Sequence, residues 1–328
     1  MKVAELKAFG NPPEVVDCIE VDGPGEPAAD EILVDTTAGP INPAEILLIQ
    51  GRYASRPPLP ARLGIEGAGR VRAVGSAVSD LQPGDSVMLM GRTNWAEQQC
   101  VKRAAVIKLP ADIDPYQAAM LKVNPATALM LLRDYVDLQA GDWLIQNAAN
   151  SGVGTCLIAL ARASGIRTVN VVRRESLIAP LQQQGADIVV VDGDDLAARV
   201  RAETGDDAPI KLAIDAVAGR ACLRLAECLS DGGTVVNYGL LSGEPCMLGS
   251  EQTVFRGISL TGFWLAKTLG SLDSASIQGL YSELAGRVMD GTVHVPVEAT
   301  YPLTEIKQAL AHAMRQGRDG KILVLPNA

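Results

Sequence analysis

The sequence predicts an α/β protein in which a doubly wound parallel sheet is inserted into a β-rich domain. Three observations carry this expectation. The 328 residues exceed what one typical core organises and suit two domains. The first third consists of short strand-like runs, "EILVDTTA" and "AGRVRAVG" among them, broken by "DGPGEP", "RPPLP" and "QPGD". From about residue 118 the rhythm changes, and runs that are apolar on both faces alternate with helical stretches. That alternation is the pattern of a parallel sheet covered on both sides.

Along the chain, "LQPGDSVML" (81–89) and "LQAGDWLIQ" (138–146) read as one turn type used twice before a strand. Before them, "NPAEILLIQG" reads as a short capped helix. Asn42 suits the N-cap, Pro43 the first helical position and Glu45 the third, a capping-box-like start. Gly51 supplies the stop, and Pro57, Pro58 and Pro60 stiffen the downstream loop. In the second region the strand-like runs are "DWLIQNAA", "TVNVVRR", "ADIVVVD", "KLAIDAVAG", "TVVNYGLL" and "SLTGFWL". After about 291, "HVPVEATYPL", the helix "TEIKQALAHAMRQG" and "GKILVLP" return to the earlier style, as a tail folding back onto the first domain. The expected domains are 1–117 completed by 292–328, and 118–291.

Composition removes several classes. A hydrophobic fraction of 48% with 20% charged residues is that of an ordinary globular chain. A net charge of −9 argues against nucleic acids and anionic membranes as main partners. No apolar run approaches membrane-spanning length. "MKVAELKAFG" shows neither an apolar signal core nor an Arg/Ser-rich transit pattern, so the expected place is the cytoplasm. The six cysteines are scattered without a CxxC and are expected as free thiols. The two histidines, His294 and His312, do not make a His-rich metal site.

The first chemistry-bearing motif is "QNAANSGVGTCLIALARASG" (146–165), lying after a strand and opening a helix. Gly152 and Gly154 give a G-x-G, with Ala149 as a further small residue. Small residues let the backbone approach a pyrophosphate, and the helix N-terminus offers N–H groups and a positive dipole end. The strand context turns a weak glycine pattern into a dinucleotide-binding expectation. Sites for NAD place an acidic residue after the next strand, for the ribose 2′-hydroxyl. Here "TVNVVRR" ends in Arg173 and Arg174, which suit a 2′-phosphate, so the expected cofactor is NADPH.

A β-rich domain around such a nucleotide domain resembles the medium-chain dehydrogenase/reductase superfamily. That resemblance implies a GroES-like catalytic domain beside a Rossmann domain. Its zinc alcohol dehydrogenases carry G-H-E-x-x-G; "GIEGAG" (64–69) keeps Gly64, Glu66 and Gly69 but has Ile65 at the zinc-ligand position. Isoleucine offers a metal nothing, so no metal site is expected. Further segments, "INPAEILLIQGRYASRP", "VNPATALMLLRDY", "LIQNAANSGVG", "TVNVVRR" and "LTGFWL", resemble the NADPH-dependent 2-enoyl thioester reductases of the mitochondrial type, from about 30 to 325. The resemblance implies hydride transfer to the β-carbon of a trans-2-enoyl thioester on CoA or acyl carrier protein. It places the catalytic tyrosine at Tyr53, as proton donor to the α-carbon or as the group polarising the thioester oxygen, with Trp264 near the acyl pocket. The cofactor set it implies is Asn42, Asn124, Thr127, Asn150, Ser151, Gly152, Val153, Gly154, Arg173, Arg174, Tyr238, Gly239, Phe263, Trp264 and Lys321. Departures from the family pattern are Ile65, "TNWAE" around Trp95, Arg174 and a compact 175–205.

Several residues keep two readings. From local sequence Tyr53 is a half-buried packing aromatic as readily as a proton donor; an ordinary phenol is protonated at neutral pH and donates without activation. Arg52, Arg56 and Arg62 serve either as solvated loop charges or as partners for the phosphates of the thioester carrier. Asn42, and likewise Asn124 with Thr127, serve either as helix caps or as cofactor contacts. The rival function on the same scaffold is a zinc-free NADPH quinone or alkene reductase. A non-catalytic NADPH-binding protein is a third, more distant reading. A homodimer is expected through "SLTGFWLAK" as an edge strand that must be covered or paired.

Overall fold

The computed structural model describes residues 1–205 and 208–328. The chain divides into two compact units, Met1–Val123 with Gln278–Ala328, and Asn124–Ile277. The first boundary lies later, and the second earlier, than the sequence reading put them. Buried polar bonds explain both shifts. Lys122 Nζ donates to Ile65 O, Met90 O and Gly91 O, which ties it to the first unit. The fully buried Tyr281, inside the helix Ser274–Met289, donates its hydroxyl to Lys122 O at 3.0 Å.

Eight strands come first: β1 (Lys2–Leu6), β2 (Val16–Glu20), β3 (Glu31–Pro40), β4 (Ala61–Arg62), β5 (Gly67–Val74), β6 (Ser86–Leu89), β7 (Gln98–Lys102) and β8 (Val106–Lys108). The second unit contributes β9 (Trp143–Asn147), β10 (Arg167–Val172), β11 (Ile188–Val191), β12 (Ile210–Asp215), β13 (Thr234–Asn237) and β14 (Ser259–Gly262). β15 (Val297–Pro302) and β16 (Lys321–Leu325) return to the first unit.

In the first unit, β2-β1-β4 form a small sheet, and β15-β16-β3-β5-β6-β8 a larger one with β7 also on β3. The ten-residue β3 is shared: Glu31–Asp35 pair with β7, while Gly39 and Pro40 pair with Val324 and Leu323 of β16. The tail thus enters the sheet beside the longest early strand. One core cluster joins Leu6, Ile49, Leu63 and Trp95 to Leu310 and Val324, so early and late segments bury the same apolar surface. Each such side chain contributes roughly 1.5–3 kcal/mol by burial.

The repeated turn is real and identical in its bonds. Gln82 N donates to Asp85 Oδ2 at 3.0 Å ahead of β6, and Gln139 N to Asp142 Oδ2 at 2.9 Å ahead of β9. The aspartate closes the turn on its own backbone, as Asx chemistry allows.

The second unit holds one six-stranded sheet, β11-β10-β9-β12-β13-β14, parallel throughout. Within the unit the spatial order is third, second, first, fourth, fifth, sixth, the Rossmann arrangement. β9 is buried along its whole length, as a central strand covered on both faces must be. β14 forms an edge, and all four of its residues are exposed. All six cysteines are free thiols.

Candidate active site

In the second unit the strand order reverses between β9 and β12, the place where open α/β sheets take ligands. The loop after β9 leads into the helix Gly152–Ala163, capped by Ser151, whose Oγ accepts from Gly154 N at 3.1 Å. A Cβ on Gly154 would lie 2.4 Å from Ala149 O, so only glycine allows this close loop–helix approach. Asn150 at the loop's tip is exposed, Ser151 and Gly152 are half-buried, and Val153 and Gly154 are buried. Among the described residues, two that are not glycine sit at positive φ, Ala148 at 48° and Ala218 at 66°. They lie just beyond β9 and β12, the two strands that flank the reversal. Strained backbone of this kind persists where the surroundings hold it, and it gathers at functional sites.

What holds it is Asp215, at the end of β12. Its buried carboxylate accepts from Asn147 Nδ2 at 2.6 Å, Asn237 Nδ2 at 2.8 Å, Val217 N at 2.9 Å and Ala218 N at 3.0 Å. One anion therefore ties together the ends of β9, β12 and β13. Tyr238 follows β13; its hydroxyl bonds Ser151, and burial pushes that phenol well above its ordinary range. A Cβ on Gly239 would lie 2.6 Å from Ala216 O. Phe263 is buried and packs edge-to-face on Tyr135, ring centres 6.5 Å apart, while Trp264 beside it is 39% exposed. Arg173 and Arg174 are exposed past the end of β10, and neither guanidinium has an ion-pair partner among the described residues. Asn124 and Thr127 lie in the first turn of the helix Asn124–Arg133, both buried.

Asp215, Cys222 and Cys246 bring three potential metal-ligating atoms within 4.8 Å of one another. The carboxylate is already surrounded by the four N–H donors just named, whose positive ends a cation would have to displace. Burial pushes the Cys222 thiol up to about 12, which also disfavours the thiolate a metal needs.

In the first unit the helix Pro43–Ile49 delivers Tyr53. It ends as predicted at Gly51: φ is 70°, Gly51 N donates to Leu48 O and Arg52 N to Leu47 O, a Schellman ending. Tyr53 is half-buried against the core cluster of Ile49 and Trp95. Arg52, Arg56 and Arg62 are exposed. The start of this helix corrects the capping-box expectation. Asn42 occupies the N-cap position, but its side chain makes no cap bond. It accepts instead from Lys321 Nζ and donates to Glu66 Oε1 at 2.5 Å. Glu45 does not reach back either; its Oε1 accepts from Ile65 N at 2.5 Å and Gly64 N at 3.1 Å. Both side chains are buried, so they satisfy interior partners rather than the solvent-facing helix end.

These bonds belong to a buried polar network. Glu66 Oε2 accepts from Val123 N at 2.9 Å, and Lys122 lies in a cage of three carbonyls at 2.6–2.8 Å. Burial pushes the Glu45 carboxyl up to about 8 and the Lys122 ammonium down to about 8. Burial also raises Glu66, against the pull of Lys321. Sequence reasoning missed Lys122 and Asp215 as organisers. Each stands as a lone charge in an apolar run, "AAMLKV" and "LAIDAVA", and that was the available signal. Arg92, whose guanidinium lies 5.6 Å from the Tyr53 ring centre, carried none.

The two units match two family models, the alcohol dehydrogenase GroES-like domain over residues 28–111 and zinc-binding dehydrogenase over residues 152–284. The enoyl-[acyl-carrier-protein] reductase, mitochondrial, of Caenorhabditis elegans is 38% identical, over 88% of this chain and 84% of its own. The chain belongs to the mitochondrial enoyl-[acyl-carrier-protein] reductase family. Among solved structures, this family member resembles Etr1p in its complex with NADP and crotonyl-CoA, with TM-score 0.88, 25% identity and 99% of both chains covered. It also resembles the Escherichia coli quinone oxidoreductase complexed with NADPH, with TM-score 0.88, 26% identity and 99% and 100% covered.

Proposed function

We propose that this chain reduces the 2,3 double bond of trans-2-enoyl thioesters, carried on CoA or acyl carrier protein, with NADPH. The observation that carries the reading is the 38% identity to an enoyl-[acyl-carrier-protein] reductase over 88% of the chain. The residues present fit the cofactor. A strand–loop–helix unit with no room for a Cβ at Gly154 suits a pyrophosphate, and exposed Arg173 and Arg174 suit the 2′-phosphate. Asn150, Ser151, Gly152 and Val153 would hold the phosphates, and Tyr238, Gly239, Phe263, Asn124 and Thr127 the rest of the cofactor. Asn42 and Lys321, already bonded to each other, would meet it as a fixed pair.

NADPH, when bound, supplies a hydride to the β-carbon of the thioester. The chain's part is the proton: Tyr53 Oη delivers it to the α-carbon, or holds the thioester oxygen while water does. Arg52 and Arg56 face the carrier's phosphates, and Trp264 the acyl group. Tyr53→Phe keeps the ring and removes the hydroxyl. Its crotonyl-CoA turnover should fall by about 10²–10⁴; a near wild-type rate would refute the role of Tyr53. Faster NADPH oxidation with a quinone than with crotonyl-CoA or a long-chain enoyl-CoA would favour the quinone reductase reading.

Two copies pair through β14, whose four exposed residues lie near the exposed Val254 and Phe255 in sequence. Light scattering that returns a monomer at micromolar concentration would refute this. No helix among the described residues is long and apolar enough to cross a membrane. Action in the cytoplasm is proposed against relatives named mitochondrial, and cell fractionation decides between the two.

A further inference from the structure

Arg92 belongs to none of the motifs above. Its guanidinium carbon lies 5.6 Å from the centre of the Tyr53 ring, and its Nη1 donates to Ser55 Oγ at 3.3 Å. Tyr53 and Ser55 stand two positions apart in the segment after Gly51. One planar cation therefore engages an aromatic face and a hydroxyl of the same segment.

The two ends of this contact differ in rigidity. Arg92 comes from the segment after β6, where its neighbours are pinned. Gly91 O accepts from Lys122 Nζ at 2.8 Å and from Asn94 Nδ2 at 3.0 Å, and Trp95 is fully buried. The segment that carries Tyr53 has no helix or strand between the helix end and β4. The Arg92 charge also lowers the pKa of the buried Glu45 carboxyl, on the helix that leads into this segment, against the larger effect of burial. A half-buried guanidinium on a fixed mount thus reaches over to an irregular segment and grips it at two points.

We propose that Arg92 is a positioning residue: lying over the Tyr53 ring and bonded to Ser55, it sets the direction in which the phenol presents its hydroxyl to the thioester. The inference rests on Tyr53 being the proton-bearing group. Transfer to a carbon depends steeply on donor direction, so the expected signature lies in turnover rather than in cofactor binding.

The test combines three variants with crotonyl-CoA and NADPH. Arg92→Met keeps the stem and removes the planar cation; kcat should fall about 10–100-fold, as for a misplacement on the order of an ångström. The KM for NADPH should stay within about two-fold, since uniform binding is untouched. Arg92→Lys, which keeps the charge and loses the fork, should recover part of the loss. In the Tyr53→Phe background, Arg92→Met should cost nothing further, because groups acting as one unit are not additive. Equal losses in both backgrounds would overturn the proposal, and so would wild-type kcat in Arg92→Met. A fully active Tyr53→Phe enzyme would sink the Tyr53 reading itself, recognisably, because it fails before Arg92 is changed. Far-UV circular dichroism and the thermal midpoint of Arg92→Lys separate a folding defect from misdirection.

Discussion

The two units build their polar centres in opposite ways. The first buries ionisable side chains together: Glu45, Glu66, Lys122 and Lys321 all lie in the interior, linked through Asn42 and backbone groups. The second, among its described residues, buries one carboxylate, Asp215, and otherwise works with backbone, a close glycine and two strained alanines, keeping Arg173 and Arg174 in solvent. The difference teaches where stability and selectivity are separable. A buried charge cannot lose its partners cheaply, whereas an exposed arginine can be removed without disturbing the fold.

The sharpest way to break that contrast is Lys122→Met. It leaves three buried carbonyls without their cation and Glu66 with Lys321 as its remaining one, and unfolding in urea should show a loss of about 3–5 kcal/mol. A loss below about 1 kcal/mol would mean that the first unit does not depend on its network. The counterpart is the double variant Arg173→Ala, Arg174→Ala. Its preference for NADPH over NADH should fall by about 10²-fold in kcat/KM, the scale of two lost charge-assisted bonds, with an unchanged unfolding midpoint. An unchanged cofactor ratio would remove the 2′-phosphate assignment.

A third effect concerns Glu45→Gln and is read against pH, where it grows from small values at about pH 5. The folded pKa of Glu45, about 8, lies above the ordinary carboxyl value, so the folded chain holds the proton more tightly than the unfolded chain. That contribution is complete below the ordinary carboxyl range and is lost as pH rises through about 8. Glutamine keeps the acceptor for Gly64 and Ile65 and cannot ionise. The stability of Glu45→Gln relative to the parent should therefore improve between about pH 5 and 8, by up to ~1.4 kcal/mol per pH unit. A difference that stays flat across that range would mean that Glu45 is ionised in the fold.

The second unit was the more legible in sequence, for a physical reason. Its signals are local: a strand, a glycine loop and a helix lie within about twenty residues, and two arginines end the next strand. Even there Asp215 escaped, because its partners Asn147 and Asn237 lie on other strands, 68 and 22 residues away. In the first unit the local reading of "NPAEILLIQG" found the helix, its proline and its glycine stop. It misassigned Asn42 and Glu45, since their true partners stand 24 and 279 residues away for Asn42 and 19 and 20 residues away for Glu45. Capping chemistry is visible in a five-residue window; a buried network assembled by a sheet is not. The Tyr53 segment shows the same limit. Its family resemblance marked the tyrosine, while Arg92, 39 positions on, became visible only in three dimensions.

The pairing of β16 with β3 has a consequence for how the protein is made. The second unit, Asn124–Ile277, is one unbroken stretch and has all its strands before the last segment is synthesised. The first unit is not: β3 waits for Leu323 and Val324, which are translated after the whole second unit. Domains usually mature in the order in which they leave the ribosome. Here that order inverts, and the unit whose strands come first is the last to be completed, once β16 has been made and can reach its place beside β3.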